Sequence, residues 1–432
     1  MDIVIQNANV LGYTGRQNIC IENNIISNIS PKASLPSPEY TISGKDLFVT
    51  PTFVNAHTHA SMSLLRGFSD NQTLFPWLQK IWSIESHFTA QDCRVGAELS
   101  FLEMIKSGTG MFVDFYFHED EILLAADKSG LRGFLGAATI EGAFLDQGGA
   151  DGLLKVTDSL CQTLDNRKNS LVQPAIAPHA PHTCSEETLQ KSLDLADKYN
   201  ALLTIHLSET RDDVLNSQKE HGVPPIEWLQ QRFNFFTTRK VLGAHCVWIQ
   251  QKEIEIFSKN NTAMAFCPVS GEKLAYGGMA PVPELLKSNV PVCLATDGPA
   301  SNNTQDMVRE MRSAATLISH QRWDPSIIKK HQILAMASTN FRSWLNNKPY
   351  RLETGIPADL AIFDFKEPHT QPNINPISTT VYAANGSDVH STIVNGRLLM
   401  YNREVLSLNE EQVIEEARKT IFNLIDKYNN KK

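Results

Sequence analysis

The chain opens with short β-branched or alternating apolar runs, Ile3-Val4-Ile5, Asn18-Ile19-Cys20-Ile21 and 24–30, set apart by Gly and Asn turns. From residue 48 the pattern changes, and apolar runs of strand length begin to alternate with helix-like segments. Strands are predicted at 48–58, 110–117, 132–140, 171–178, 201–208, 240–246, 262–267 and 291–297. Thr89-Ala90-Gln91-Asp92 supplies a capped start for one intervening helix and Gly108 its stop; Ser185-Glu186-Glu187-Thr188 opens another that ends near Tyr199-Asn200. Eight strands with helices between them predict an α/β fold, a (β/α)8 TIM-like barrel. A doubly wound open sheet is the alternative, but no Gly-x-Gly-x-x-Gly follows any of these strands.

The far end mirrors the beginning, with strand-like 359–364 and 390–396 and then a helix near 408–428. Neither end has enough strands to close a core alone, so both are expected to combine into one small composite β-sandwich. The division expected is 1–50 and 351–432 for the two parts of that sandwich, the second adding the terminal helix, around a barrel at 51–350.

Polar residues interrupt the apolar pattern at the ends of four predicted strands. Phe53-Val54-Asn55-Ala56-His57-Thr58-His59 places two imidazoles on one strand face, since side chains alternate. The fifth strand runs into His206-Leu207-Ser208-Glu209, the sixth into His245-Cys246 and the eighth into Asp297-Gly298. Any one of these is commonplace as a satisfied core group. Four strand ends, all polar where an apolar residue would pack better, converge on one mouth of a barrel. His57, His59, His206 and Asp297 then form a set of nitrogen and carboxylate ligands suited to one divalent cation, zinc before ferrous iron. Such a cation makes a water acidic near neutrality, and Asp297 stands where it can take the proton. Glu209 and His245 remain to protonate a substrate nitrogen and hold the attacking oxygen. With no Ser or Cys elbow, direct attack by water is favoured over a covalent intermediate.

Composition narrows the partner. The net charge of -8 argues against a nucleic-acid footprint and for a small-molecule substrate. No apolar run approaches a membrane span, and Met1-Asp2-Ile3-Val4-Ile5-Gln6 carries no basic segment of a secretory signal. Seven scattered cysteines without a Cys-x-x-Cys suggest a reduced, cytoplasmic protein.

Pro51–His59, His206-Leu207-Ser208-Glu209-Thr210, Gly243-Ala244-His245-Cys246 and 296–303 resemble the amidohydrolase superfamily, and within it the branch of 5'-methylthioadenosine/S-adenosylhomocysteine deaminases and related chlorohydrolases. The likeness spans nearly the whole chain, including Ala358-Asp359-Leu360 and Val394-Asn395-Gly396. It implies a barrel holding one divalent metal, commonly zinc, and hydrolytic deamination of a purine nucleoside; it leaves a homo-oligomer open. It also implies that Asp297 activates the water, Glu209 protonates the ring nitrogen and His245 assists from the other side. Two matching segments add substrate contacts: Glu85, after Trp77 and Trp82, for the ribose hydroxyls, and His179 of Pro178-His179-Ala180-Pro181-His182. His182 has no matching role, while Trp77 and Trp82 could wall the base.

Two departures stand out. Relatives show His/Asn-x-Pro-x-Ser-Asn after the seventh strand, where this chain has Phe266-Cys267-Pro268-Val269-Ser270-Gly271. Near the third strand Ala137 stands where homocysteine-accepting relatives offer an Arg, with Arg132 further inside. An unpaired carboxylate is costly to bury, so methylthioadenosine, 5'-deoxyadenosine or adenosine rank above S-adenosylhomocysteine. Rival readings are hydrolysis of another aminated or chlorinated heterocycle (guanine, pterin or triazine) and a catalytically silent binding protein. The latter needs a missing metal or acid position, and none is missing.

Overall fold

The structure is a computed structural model that describes residues 1–142 and 148–430. Eight strands form one parallel sheet in chain order: Phe53–Thr58, Thr109–Tyr116, Arg132–Thr139, Val172–Pro178, Leu202–Leu207, Val241–His245, Ala263–Phe266 and Val292–Leu294. They are buried along almost their whole length, as strands covered on both faces must be. Helices cover the outside, among them Ala90–Lys106, whose Thr89 and Asp92 make a reciprocal capping box, and Glu186–Tyr199, capped by Ser185 and ended by left-handed Asn200.

Polar side chains close the barrel between its first and last strands. Asn55 Nδ2 donates to Thr296 Oγ1 (2.7 Å) and to Gln305 Oε1 (2.8 Å), and Thr296 N–H returns a bond to Asn55 Oδ1 (3.0 Å). The Asp297 N–H donates to the His57 carbonyl at 3.0 Å. An Asn inside an apolar strand is thereby fully paired, and the closure sets two site residues side by side.

The predicted strand 48–58 is two strands. Leu47–Pro51 belongs to the sheet built from the termini, and Phe53–Thr58 starts the barrel. The break falls at Thr52, whose carbonyl and hydroxyl accept from the buried Arg342 guanidinium at 2.7 Å. The sequence marks this point only by Thr50-Pro51-Thr52, whose proline has no N–H to give a ladder; the guanidinium that holds the break lies 290 positions away. Around it the two ends of the chain combine. Leu360–Asp364 lies antiparallel to Leu47–Pro51, and Ile3–Val10 lies parallel to it on the other side. All nine terminal strands share one hydrogen-bonded sheet, and Ile3, Ile21, Val49, Leu360, Ile362 and Ile393 share one apolar cluster. The last helix, Glu410–Asn430, returns to pack Ala417 and Leu424 on Leu64 and Val95 of the barrel.

The turn Ala60–Leu65, which follows His59, sits directly on helix Ala90–Lys106. Ser61 and Ser63 hydroxyls donate to the carbonyls of Cys93 (2.8 Å) and Gly96 (2.6 Å), and Ser100 returns a bond to Ala60 (2.6 Å). A Cβ on Gly96 would lie 2.3 Å from the Ser61 carbonyl oxygen, so only glycine permits this approach. Gly96→Ala is expected to cost about 3 kcal/mol of stability and to loosen the metal-ligand end of the first strand. A fall in urea midpoint together with metal stoichiometry checks both effects.

Candidate metal-dependent active site

The site lies at the carboxyl ends of the barrel strands, where this architecture gathers catalytic groups. His57 comes from the first strand and His59 from the residue just past it, His206 from the fifth, and Asp297 from three residues past the eighth, beyond its last strand residue Leu294. Asp297, His245, Cys246 and Ser208 all take left-handed backbone with φ between 46° and 69°. Such conformations are costly for non-glycine residues and persist where surrounding structure fixes them. They turn the side chains at three strand ends inward. A Cβ on Gly298, the next residue, would lie 2.6 Å from Met62 Sδ, so a side chain there would displace the methionine that lines the cleft.

The four predicted ligands come together, their donor atoms all within 4.8 Å of one another. His57 Nε2 stands 3.4 Å and His59 Nε2 3.2 Å from Asp297 Oδ1, and His206 Nε2 is 3.2 Å from His57 Nε2. A cation with tetrahedral bonds of about 2.1 Å separates its ligand atoms by about 3.4 Å. The outer ring nitrogens support the same reading: His59 Nδ1 donates to the Phe115 carbonyl (2.8 Å) and His206 Nδ1 to the His179 carbonyl (2.9 Å). Those bonds orient both rings and aim each Nε2 into the cluster; against burial, the hydrogen bond and charge of Asp297 hold His59 up to about 9 in the metal-free site, so a cation bound there would displace that proton. Burial pushes His57 down to about 3 and His206 well below the usual imidazole range, so both are neutral ligands. Burial opposes charge on Asp297 as well, but hydrogen bonds from His57 and His59 hold it well below the usual carboxylate range. The residues fit a divalent cation.

Glu209 and His245 lie beside them. Glu209 Oε1 is 3.7 Å from His245 Nε2. Burial, helped by the charge of Asp297, pushes the Glu209 carboxyl up to about 8, so it carries its proton at neutral pH. Glu85 lines the same cleft, as do His179, Trp77 and Trp82. Burial pushes Glu85 up to about 7, with the Tyr116 hydroxyl donating to its Oε1 and its Oε2 left without a protein partner. Trp77 is buried and Trp82 is 38% exposed at the rim. His182 points elsewhere, 3.6 Å from Asp213 in a neighbouring cavity.

Residues 48–399 match the amidohydrolase family. The chain belongs to that family. It is 38% identical to a 5-methylthioadenosine/S-adenosylhomocysteine deaminase of Pelotomaculum thermopropionicum, over 99% of both chains. It is equally 38% identical, over 99% of both chains, to a 5'-deoxyadenosine deaminase of Methanosarcina mazei. Among solved structures it resembles an adenosine deaminase from Xanthomonas campestris with bound zinc, at a TM-score of 0.92 and 27% identity over 98% of this chain and 99% of the other.

Several residues of this amidohydrolase site escape a reading by strand ends alone. Ser270 and Ser301 hydroxyls donate to Asp297 Oδ2 at 2.6 and 2.9 Å, leaving Oδ1 for the histidines. Both lie in segments already notable as motifs, but neither motif says which side chain its hydroxyl meets. Asp114 fixes the turn after His59 by accepting from the Ala60 N–H at 2.7 Å. Arg132, the nearest cation along the third strand, is committed at the opposite end of the barrel. Its Nε bonds Asp359 and its Nη2 bonds Asn395, both at 2.8 Å, tying the barrel to the terminal sheet.

Proposed function

We propose that this chain is a divalent-metal-dependent hydrolase that deaminates adenosine-type nucleosides, releasing ammonia and the inosine analogue. The observation that carries the reading is one cleft lined by the ligand cluster, a protonated Glu209 beside His245 and, on another wall, the Glu85 carboxylate. That is the layout for a sugar held at one side and a nitrogen heterocycle at the other. Trp77 and Trp82 give the base apolar walls.

The bound cation supplies positive charge that makes water acidic near neutral pH. Asp297, ionised in the resting site, takes a proton from the attacking water as the water oxygen bonds the ring carbon bearing the amino group. Glu209 gives its proton to the adjacent ring nitrogen, so the charge of addition never builds up unscreened in the cleft. His245, neutral and aimed at the same space, holds the attacking oxygen. The C–N bond then breaks, the nitrogen leaves as ammonia with the proton that Asp297 held, and the hydroxyl left on the carbon gives up its proton as the carbonyl forms, restoring the Glu209 acid. Glu85 accepts from ribose hydroxyls through its free oxygen, and His179 contacts the substrate from the fourth strand.

A neutral 5' group fits best. Among the described residues lining the cleft none is Lys or Arg; the third strand contributes Ala138, and Ile140 follows just past its end. Methylthioadenosine, 5'-deoxyadenosine and adenosine therefore rank above S-adenosylhomocysteine, whose carboxylate would find no guanidinium. The donor set suits zinc, with ferrous iron second. Seven buried, unpaired cysteines suit the reducing cytoplasm.

An ammonia-release panel over adenosine, 5'-deoxyadenosine, methylthioadenosine, S-adenosylhomocysteine, guanine and a chlorotriazine, with metal-loaded protein, tests the reading. No release from any adenosine-type nucleoside would reject it. Glu85→Ala is expected to raise KM for nucleosides by about 100-fold while changing that for a free base little. Equal losses for both would remove the ribose role.

A further inference from the structure

We infer that Gln305 is a positioning residue of the metal site, setting Asp297 against His57 and His59 from behind the ligands. The inference rests on the metal-binding part of the reading above, whatever heterocycle the cleft takes. It gives a role to a buried amide that the chemistry itself does not use.

Gln305 is fully buried and directly precedes Asp306, which caps helix Met307–Arg322. Its backbone is anchored outside the barrel strands. The Gln305 N–H donates to Glu103 Oε1 (2.9 Å) on helix Ala90–Lys106, and the Thr304 hydroxyl donates to the same oxygen (2.7 Å). Its side-chain Oε1 meets donors from both sides of the barrel closure: Asn55 Nδ2 at 2.8 Å, Thr296 Oγ1 at 3.0 Å and Thr58 Oγ1 at 3.1 Å. Its Nε2 donates to the Asp297 carbonyl at 3.3 Å.

These contacts bracket the ligands. Thr58 lies between His57 and His59 in the chain, and Asn55 just before them. Residues 55 and 58 of a regular strand would face opposite ways. The first strand slips register against the second between Asn55 and Thr58, and that irregularity lets both side chains reach one amide oxygen.

Asp297 needs such a hold. Its backbone is left-handed, with φ of 62°, a conformation that surrounding bonds must maintain. Its N–H bond to the His57 carbonyl is one point, which leaves the peptide free to pivot. The carbonyl end is fixed by Gln305 Nε2, with the Thr58 and Thr296 hydroxyls in reach at 3.2 and 3.0 Å. An amide is suited to this place because it offers an acceptor to the converging donors and a donor to the Asp297 carbonyl in one plane. The spacing it holds is the one a cation requires, His57 and His59 Nε2 standing 3.4 and 3.2 Å from Asp297 Oδ1. Without the amide that spacing must be made as the cation binds, which weakens affinity for the metal and leaves the substrate contacts as they are.

Gln305→Leu keeps most of the bulk and removes both polar ends. Once circular dichroism has shown it folded, it is expected to bind zinc about 10- to 100-fold more weakly in competition with a chromophoric chelator. At saturating zinc its KM for 5'-deoxyadenosine is expected to stay within about threefold. Thr58→Val keeps the branched shape, removes one hydroxyl from the same amide, and is expected to weaken zinc binding by about 3- to 10-fold. It decides the matter if Gln305→Leu does not fold. A folded Gln305→Leu chain, or in its place Thr58→Val, that binds zinc within about twofold of the unaltered protein would overturn the role. A part in fold stability alone gives that result, with a lower urea midpoint of the metal-free chain and zinc affinity unmoved. If the unaltered chain binds no zinc, the ligand reading fails and this role with it. If it binds zinc but releases no ammonia from any nucleoside, the deaminase reading fails while the zinc affinities still decide the role of Gln305.

Discussion

Asp297→Asn is expected to abolish deamination, lowering kcat by about 10⁴-fold or more. Two functions meet at this one carboxylate. Oδ1 faces His57 and His59 at 3.4 and 3.2 Å, in the position of a metal ligand, while Oδ2 receives the hydroxyls of Ser270 and Ser301. An amide has one acceptor oxygen and one donor nitrogen, so it cannot satisfy both sides. If its oxygen faces the histidines, its N–H2 meets two hydroxyls that were donating. If it is reversed, the N–H2 points at the cation. Either way the base that takes the water's proton is gone. The measurement is kcat together with metal content. A fully metallated Asp297→Asn variant retaining activity within about tenfold would reject Asp297 as the base.

Glu209→Gln is expected to lower kcat by about 10³-fold, to leave KM little changed, and to remove the alkaline limb of the pH profile. The carboxyl is raised to about 8 because burial penalises its charged form and the Asp297 charge adds to that penalty. Its proton is therefore present at neutral pH and lost as pH rises through about 8. An acid that works by giving its proton away makes kcat/KM fall over that interval. Glutamine cannot ionise, so the residual activity of the variant should pass through the same range without that fall. A Glu209→Gln enzyme with the same alkaline limb would assign the titration to another group.

The gathering of His57, His59, His206 and Asp297 was legible along the chain, because polar residues stand where those strands stop. A strand alternates its side chains, so His57 and His59 had to share a face. An apolar run ending in His206 or His245 had no packing reason to do so. Those signals are local, which is why single short segments carried them. The nine strands of the terminal sheet were legible only in part. The insufficiency of either end pointed to their union, but the division of 47–58 into two strands depends on Arg342 reaching Thr52.

Glu85 shows the opposite limit. On its helix Leu74–Glu85 it reads as an ordinary terminal glutamate; it is 2% exposed in the fold because Tyr116 of the second strand and the helices around it close over it. Strand periodicity and the cost of burying polar groups act over a few neighbouring residues, so the eight-strand rhythm and the polar residues gathered at the strand ends could be read along the chain. Which hydroxyls reach Asp297, that Tyr276 packs on Gly271, and that Arg132 is spent on Asp359 were settled by folding alone. Each of those depends on distances between segments far apart in the chain, and no local pattern of residues encodes such a distance.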